Sequence, residues 1–194
     1  EVILELKQSF TNRYEMKDLG EVSHYLGMRV TRTNNSIKID QEAYADDILR
    51  RFDALLEGMQ NKAYSVPMER DLKLSKKDFE EMSERQMEMV RHFPYQSIIG
   101  ALLYLAIHTR PDLAYAVNSL SRFNHQPTFK ACKALIRVLI YLRGSKTKGL
   151  LFDSDDLELT CLSDSDWAGD VDTRKSTSGY ILFGAGAPIA WMSK

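Results

Sequence analysis

The chain has 194 residues, 44% of them apolar and 27% charged, which is ordinary for a soluble globular protein and leaves room for a sizeable core. Twenty-six basic against 27 acidic residues give a formal net charge of −1, so no global field draws the molecule to nucleic acid or membrane, and any such attraction must be local. No apolar run approaches the ~18 residues of a membrane span.

The first element is a helix over residues 1–14, with Ile3, Leu6 and Phe10 at helical spacing. Its start, "EVILELKQSF", has neither the basic head nor the apolar core of a signal peptide, and the missing initiator Met suggests a piece of a longer product. "MKDLGEVSHYLGMRVTRTNNSIKID" then predicts two short strands that turn at Asn34-Asn35.

"QEAYADDILRRF" contains Tyr44-Ala45-Asp46-Asp47, the Tyr-x-Asp-Asp string that marks a polymerase metal site when it occupies a β-hairpin turn. Here Tyr44, Ile48 and Phe52 recur every fourth residue with Leu49 alongside, the pattern of an amphipathic helix. Asp40 is the expected N-cap, and Asp46 and Asp47 fall on the solvent face. Residues 57–91 are polar and weakly patterned, an irregular connector and expected hinge with a short helix over 76–90.

Three helices follow. Ile98, Ile99, Leu102, Leu103 and Leu105 surround the first, which is therefore expected to be the most buried. Leu113, Ala116, Val117, Leu120 and Phe123 line one stripe of the second, which begins at Pro111. The third is capped by Thr128, carries Leu135, Val138, Leu139 and Leu142, and stops near Gly144. After Gly149 the period falls to two, and "LELTCLSDSDWAG", "GYILFGAG" and "PIAWMSK" read as three strands.

Charge is segregated along the chain. Leu113 to Phe152 holds no acidic residue, whereas Asp153 to Asp172 holds carboxylates and no Lys or Arg. Lys130, Lys133 and Arg137 share one helical stripe that could follow a phosphate backbone; the competing reading is an ordinary solvated face. Asp164 and Asp166 would share one face of a strand, a pair able to contribute to Mg²⁺ binding or merely to solvate the surface. Cys132 and Cys161 sit in apolar contexts without metal-ligand spacing and are expected to be buried free thiols in a reducing, cytoplasmic setting.

"FTNRYEMKDLGEVSHYLGMRV", "YQSIIGALLYLAIHTRPDLAYAVNSLSRF", "LIRVLIYLRGSKTKGLLF" and "SDSDWAGDVDTRKSTSGYILFGAGAPIAWMSK", in this order, closely resemble the Pol polyprotein of copia-type LTR retrotransposons. The resemblance implies an α+β fold: the end of a reverse transcriptase palm and start of a thumb over 1–56, the connector over 57–91, a helical thumb/connection subdomain over 92–149, and an incomplete ribonuclease H-like antiparallel sheet over 150–194. It implies that the hairpin with Leu19, Gly20, Tyr25, Leu26 and Gly27 lies beside a primer terminus. The polymerase Tyr-x-Asp-Asp turn would lie upstream of Glu1. Asp164, or alternatively Asp166, resembles the first carboxylate of the ribonuclease H metal site. The other ligands would follow Lys194, so the segment is expected to lack nuclease activity by itself and to hold the parent's Mg²⁺ only weakly. Implied partners are RNA/DNA primer-template, bound weakly, and the rest of the polyprotein, without a membrane. The parent would also be found in the nucleus or in virus-like particles. The family often has His-Trp where this chain has Ala131-Cys132, and Lys and Arg where it has Ile136 and Ile140, departures that weaken the phosphate-contact reading of this helix and fit either a decaying copy or a surface turned to protein contact.

Overall fold

The computed structural model describes residues 2–153, 155–156 and 158–194. Helix α1 (Val2–Arg13) buries none of its residues. Strands β1 (His24–Tyr25), β2 (Met28–Arg32) and β3 (Ser36–Asp40) form an antiparallel meander, and β2 and β3 turn through Asn34-Asn35 with Thr33 and Ser36 hydrogen-bonded across the bend. Helices α2 (Glu42–Arg51), α3 (Glu84–Arg91), α4 (Tyr95–His108), α5 (Ala114–Ser121) and α6 (Phe129–Ser145) follow, with a 3₁₀ turn over Pro111–Leu113 leading into α5. Strand β4 (Gly149–Asp153) closes the first sheet in the order β1-β2-β3-β4. Strands β5 (Thr160–Ser165), β6 (Ser178–Gly184) and β7 (Ala187–Ser193) form a second antiparallel sheet. The architecture is α+β.

The core lies where α2, α4, α5 and α6 meet. All five residues of the α5 stripe are buried, as are Leu135, Val138, Leu139 and Leu142 of α6, and the Thr128 side chain accepts from the Ala131 amide as an N-cap should. Helix α4 differs from expectation. Ile98, Ile99, Leu102 and Leu105 are buried, but Leu103 is 44% exposed, with Ile107 on the same outer face one turn later. The face of α2 is also rotated slightly, because Ala45 is buried beside Ile48, Leu49 and Phe52 while Tyr44 is only partly covered.

One expectation about local structure is corrected. Gln41, rather than Asp40, is the N-cap of α2, and Asp40 is fully buried, accepting from the Glu42 amide at 3.2 Å and pairing with Arg29 and Lys38. Burial raises its pKa, but the Arg29 hydrogen bond, the Glu42 amide and the charges of Arg29 and Lys38 outweigh that, so the carboxyl is held below the usual range. The connector packs over α6, with Leu74 and Met82 buried and the Arg143 guanidinium bonded to the carbonyls of Met59 and Lys62.

Strand β4 appears only through tertiary pairing: Leu150 lies opposite Ile39 and Phe152 opposite Ile37. Gly149 begins it because a Cβ there would stand 2.5 Å from the Ile39 carbonyl oxygen. Residues 157–159, read as the start of the next strand, precede β5, and Leu157 lies outside the described residues.

The second sheet docks on the helices. The Trp191 indole donates to the Ala106 carbonyl at 2.7 Å, Arg122 pairs with Asp170, and Asp172 accepts from the Ser75 hydroxyl and the Lys76 amide. Among the described residues no strand lies on the outer edge of β5, and all of β5 is exposed.

Candidate functional site

The first candidate surface is the tip of the β1–β2 hairpin. Tyr25 pairs with Met28, so only Leu26 and Gly27 turn the chain, and both have positive φ, 48° and 75°. A two-residue turn matching the twist of its strands requires this conformation. Glycine adopts it freely; leucine does so at a cost of about 1 kcal/mol. The compensation comes from elsewhere in the fold: the Tyr104 hydroxyl on α4 donates to the Leu26 carbonyl at 2.5 Å. Tyr25 and Leu26 themselves stand 61% and 62% exposed. Two large apolar side chains on a fixed turn make a contact surface rather than part of the core.

The second surface is the basic stripe of α6, and the structure divides its members. Arg137 is 17% exposed at its side chain, stacks 3.9 Å above the Tyr64 ring and pairs with Glu69 at 3.0 Å. Its Nε is buried without a hydrogen-bond partner. Lys130 is 3.7 Å from Asp78, and Lys133 lies over the Phe129 ring. The connector thus supplies the counter-charges of the stripe, leaving Lys130 and Lys133 accessible and Arg137 covered. Between connector and helix remains a cavity of about 340 Å³ lined by Lys62, Tyr64, Glu69, Lys130, Lys133 and Arg137 among others. The departures on α6 are packing features. Ala131, Cys132 and Ile140 are buried and Ile136 packs against the core, so they do not form a protein-contact surface. Burial pushes the Cys132 thiol up to about 12, whereas Cys161, also expected to be buried, is exposed on edge strand β5.

Asp164 sits on exposed β5 opposite Gly179 and borders a cleft of about 420 Å³ formed with Pro111, Tyr115, Leu162, Ile181 and Trp191. Its Oδ1 accepts only from the adjacent Ser165 amide at 2.9 Å. Asp166 instead holds its own loop, accepting from the amides of Thr177 at 2.8 Å and Gly169 at 3.3 Å. Among the described residues no three His, Cys, Asp or Glu side chains converge to hold a metal ion, so the residues present do not fit a two-metal centre. Asp46 and Asp47 lie on α2, paired with Lys146 and Arg50, and not on a hairpin turn. Hairpin, stripe and Asp164 are three separate places on the molecule, and no single pocket gathers them.

Sequence reasoning missed Tyr104, Tyr64 and Glu69. The first was hidden inside an apolar helix and the others inside a segment without periodicity. It also missed the network in which Arg110, 2% exposed, bonds both oxygens of Asp112 at 2.9 and 2.8 Å and the Ser145 carbonyl and hydroxyl, while Tyr141 donates to Asp112. A charged pair beside Pro111 in an apolar context was the available signal.

A family model described as reverse transcriptase (RNA-dependent DNA polymerase) matches residues 1–70. The retrovirus-related Pol polyprotein from transposon TNT 1-94 of Nicotiana tabacum is 39% identical over the whole chain, which spans 14% of that protein. The corresponding polyprotein from transposon RE1 of Arabidopsis thaliana is 36% identical over 96% of the chain and 12% of its own length. Secreted RxLR effector protein 161 of Plasmopara viticola is 46% identical over 54% of the chain and 75% of that protein. No solved structure matches. No described helix is long and apolar enough to cross a membrane. With those two polyproteins 36–39% identical over nearly its whole length, the chain belongs to the retrovirus-related Pol polyproteins of copia-type transposons, as a segment carrying part of their reverse transcriptase region.

Proposed function

We propose that the segment positions RNA/DNA primer-template for the parent polyprotein without carrying out the chemistry itself. The observation that supports this best is the β1–β2 tip, where Tyr25 and Leu26 are presented to solvent on a turn fixed from α4. An aromatic and an aliphatic side chain so placed suit the sugar and base faces of a primer end. Lys130 and Lys133 would add salt-dependent phosphate contacts, with Arg137 held back by Glu69. Asp164 would contribute a ligand for Mg²⁺ only beside carboxylates that no described residue supplies. The remaining polyprotein is the natural protein partner, and the unburied face of α1 is available to it.

The test is titration of the chain with a fluorescent RNA/DNA primer-template across a salt series. Tyr25→Ala with Leu26→Ala should weaken binding about tenfold, and Lys130→Glu with Lys133→Glu should flatten the log–log salt slope by roughly 1.5. Unchanged affinity in the hairpin variant would remove the main support for the proposal.

A second reading, a protein-interaction segment without nucleic-acid chemistry, draws on the likeness to a secreted effector and on the occupation of Arg137 by the connector. Absence of hybrid binding at low salt would favour it.

A further inference from the structure

Helix α4 makes two hydrogen bonds to distant parts of the chain within three residues. At Ala106 its carbonyl, one of the acceptors left over in the last turn, takes the Trp191 indole N–H. At Tyr104 the hydroxyl reaches back across 78 positions to the Leu26 carbonyl. The Tyr104 ring is itself fixed: Tyr44 meets it edge-on at 5.3 Å, His108 lies 4.2 Å away, and the His108 Nδ1 is 2.8 Å from the Tyr104 carbonyl. The turn it touches has little else against it. A Cβ added to Gly27 would find the Tyr104 hydroxyl oxygen at 3.9 Å and no other atom within 4 Å beyond its chain neighbours. Leu26 meanwhile occupies a backbone region that leucine rarely adopts unaided.

We infer that Tyr104 is a positioning residue: by holding the Leu26 carbonyl it fixes the direction in which Tyr25 and Leu26 are presented and ties the hairpin tip to the helical core. This rests on the reading of the tip as the primer-end contact. It adds that the contact is set from α4, so that a shift of the helices against the first sheet is transmitted to the tip through one hydroxyl. Tyr104→Phe is the informative substitution because the ring, half-buried against Tyr44, remains in place; Tyr104→Leu removes the ring contact as well.

The experiment is hydrogen exchange on the full chain without nucleic acid, paired with photo-crosslinking from a thiothymidine at the primer 3′ end. In Tyr104→Phe the amides of Met28–Arg32 should exchange about fivefold faster, the equilibrium weight of one hydrogen bond, with α5 and α6 unchanged. Tyr104→Leu should exceed that. Crosslinks to residues 25–27 should fall by a similar factor while total hybrid affinity changes less, a separation that mere loss of stability would not produce. Hairpin exchange equal to wild type in Tyr104→Phe overturns the inference, as does faster exchange with an unaltered yield of crosslinks to residues 25–27. If the wild-type chain binds no hybrid, the proposed function fails, and hairpin exchange alone decides whether Tyr104 holds the turn.

Discussion

At the scale of single residues the strongest commitment is the buried guanidinium of Arg110, paired with an Asp112 that remains partly exposed. Arg110 has its guanidinium engaged between Asp112 and Ser145, so Arg110→Ala removes charge-assisted hydrogen bonds from a buried site and should cost about 2–3 kcal/mol in urea unfolding. Arg110→Lys keeps the charge but not the planar fork, and should recover only part of the loss. Burial raises the Asp112 pKa, but the Arg110 hydrogen bonds and charge, the Tyr141 hydroxyl and Lys148 outweigh it, so the carboxyl is held below its ordinary range. A depressed folded-state value contributes stability that is present above the unfolded pKa, near 4, and is lost as pH falls through the folded value. Acid unfolding below about pH 4 should therefore be steeper in the wild type than in Asp112→Asn, and a matching slope in the variant would contradict the assignment.

Among elements, the relation between the connector and α6 decides how much of the basic stripe is available. Glu69 is largely exposed while its partner Arg137 is covered, so Glu69→Gln should change stability by less than about 1 kcal/mol. The same substitution leaves Arg137 free to meet a phosphate, and hybrid affinity at low salt should rise about threefold with a steeper salt slope. A variant that binds as the wild type does would show that Arg137 is a packing residue alone. The α5 stripe, the Thr128 cap and the helical nature of the Tyr-Ala-Asp-Asp string were legible in the sequence, because each depends on neighbours within one or two turns. The role of Arg137 was not, because its spacing placed it beside Lys130 and Lys133 while its partners Tyr64 and Glu69 came from a segment without a pattern.

Across the whole molecule, the second sheet is attached to the helices by three contacts separated in sequence: Trp191 to Ala106, Arg122 to Asp170, and Asp172 to Ser75 and Lys76. With Trp191→Phe and Asp172→Ala combined, calorimetry should resolve the β5–β7 unit as a separate, earlier transition, whereas a single transition would mean that apolar packing alone secures it. The three surfaces that charge patterning and the family resemblance singled out remain apart in space, at the hairpin tip, on α6 and on β5, and neither cleft gathers them.

The sequence by itself determined the helices, most of the strands, the segregation of charge and the family, since periodicity, caps and motif order are carried by residues close along the chain. Only the tertiary structure decided that β4 would join β3, that the connector would cover Arg137, and that Tyr104 would hold Leu26 in a left-handed turn. Each of these unites residues 68 or more positions apart, and a pattern with a period of two or 3.6 holds no information about which distant surface an outward-facing side chain will meet.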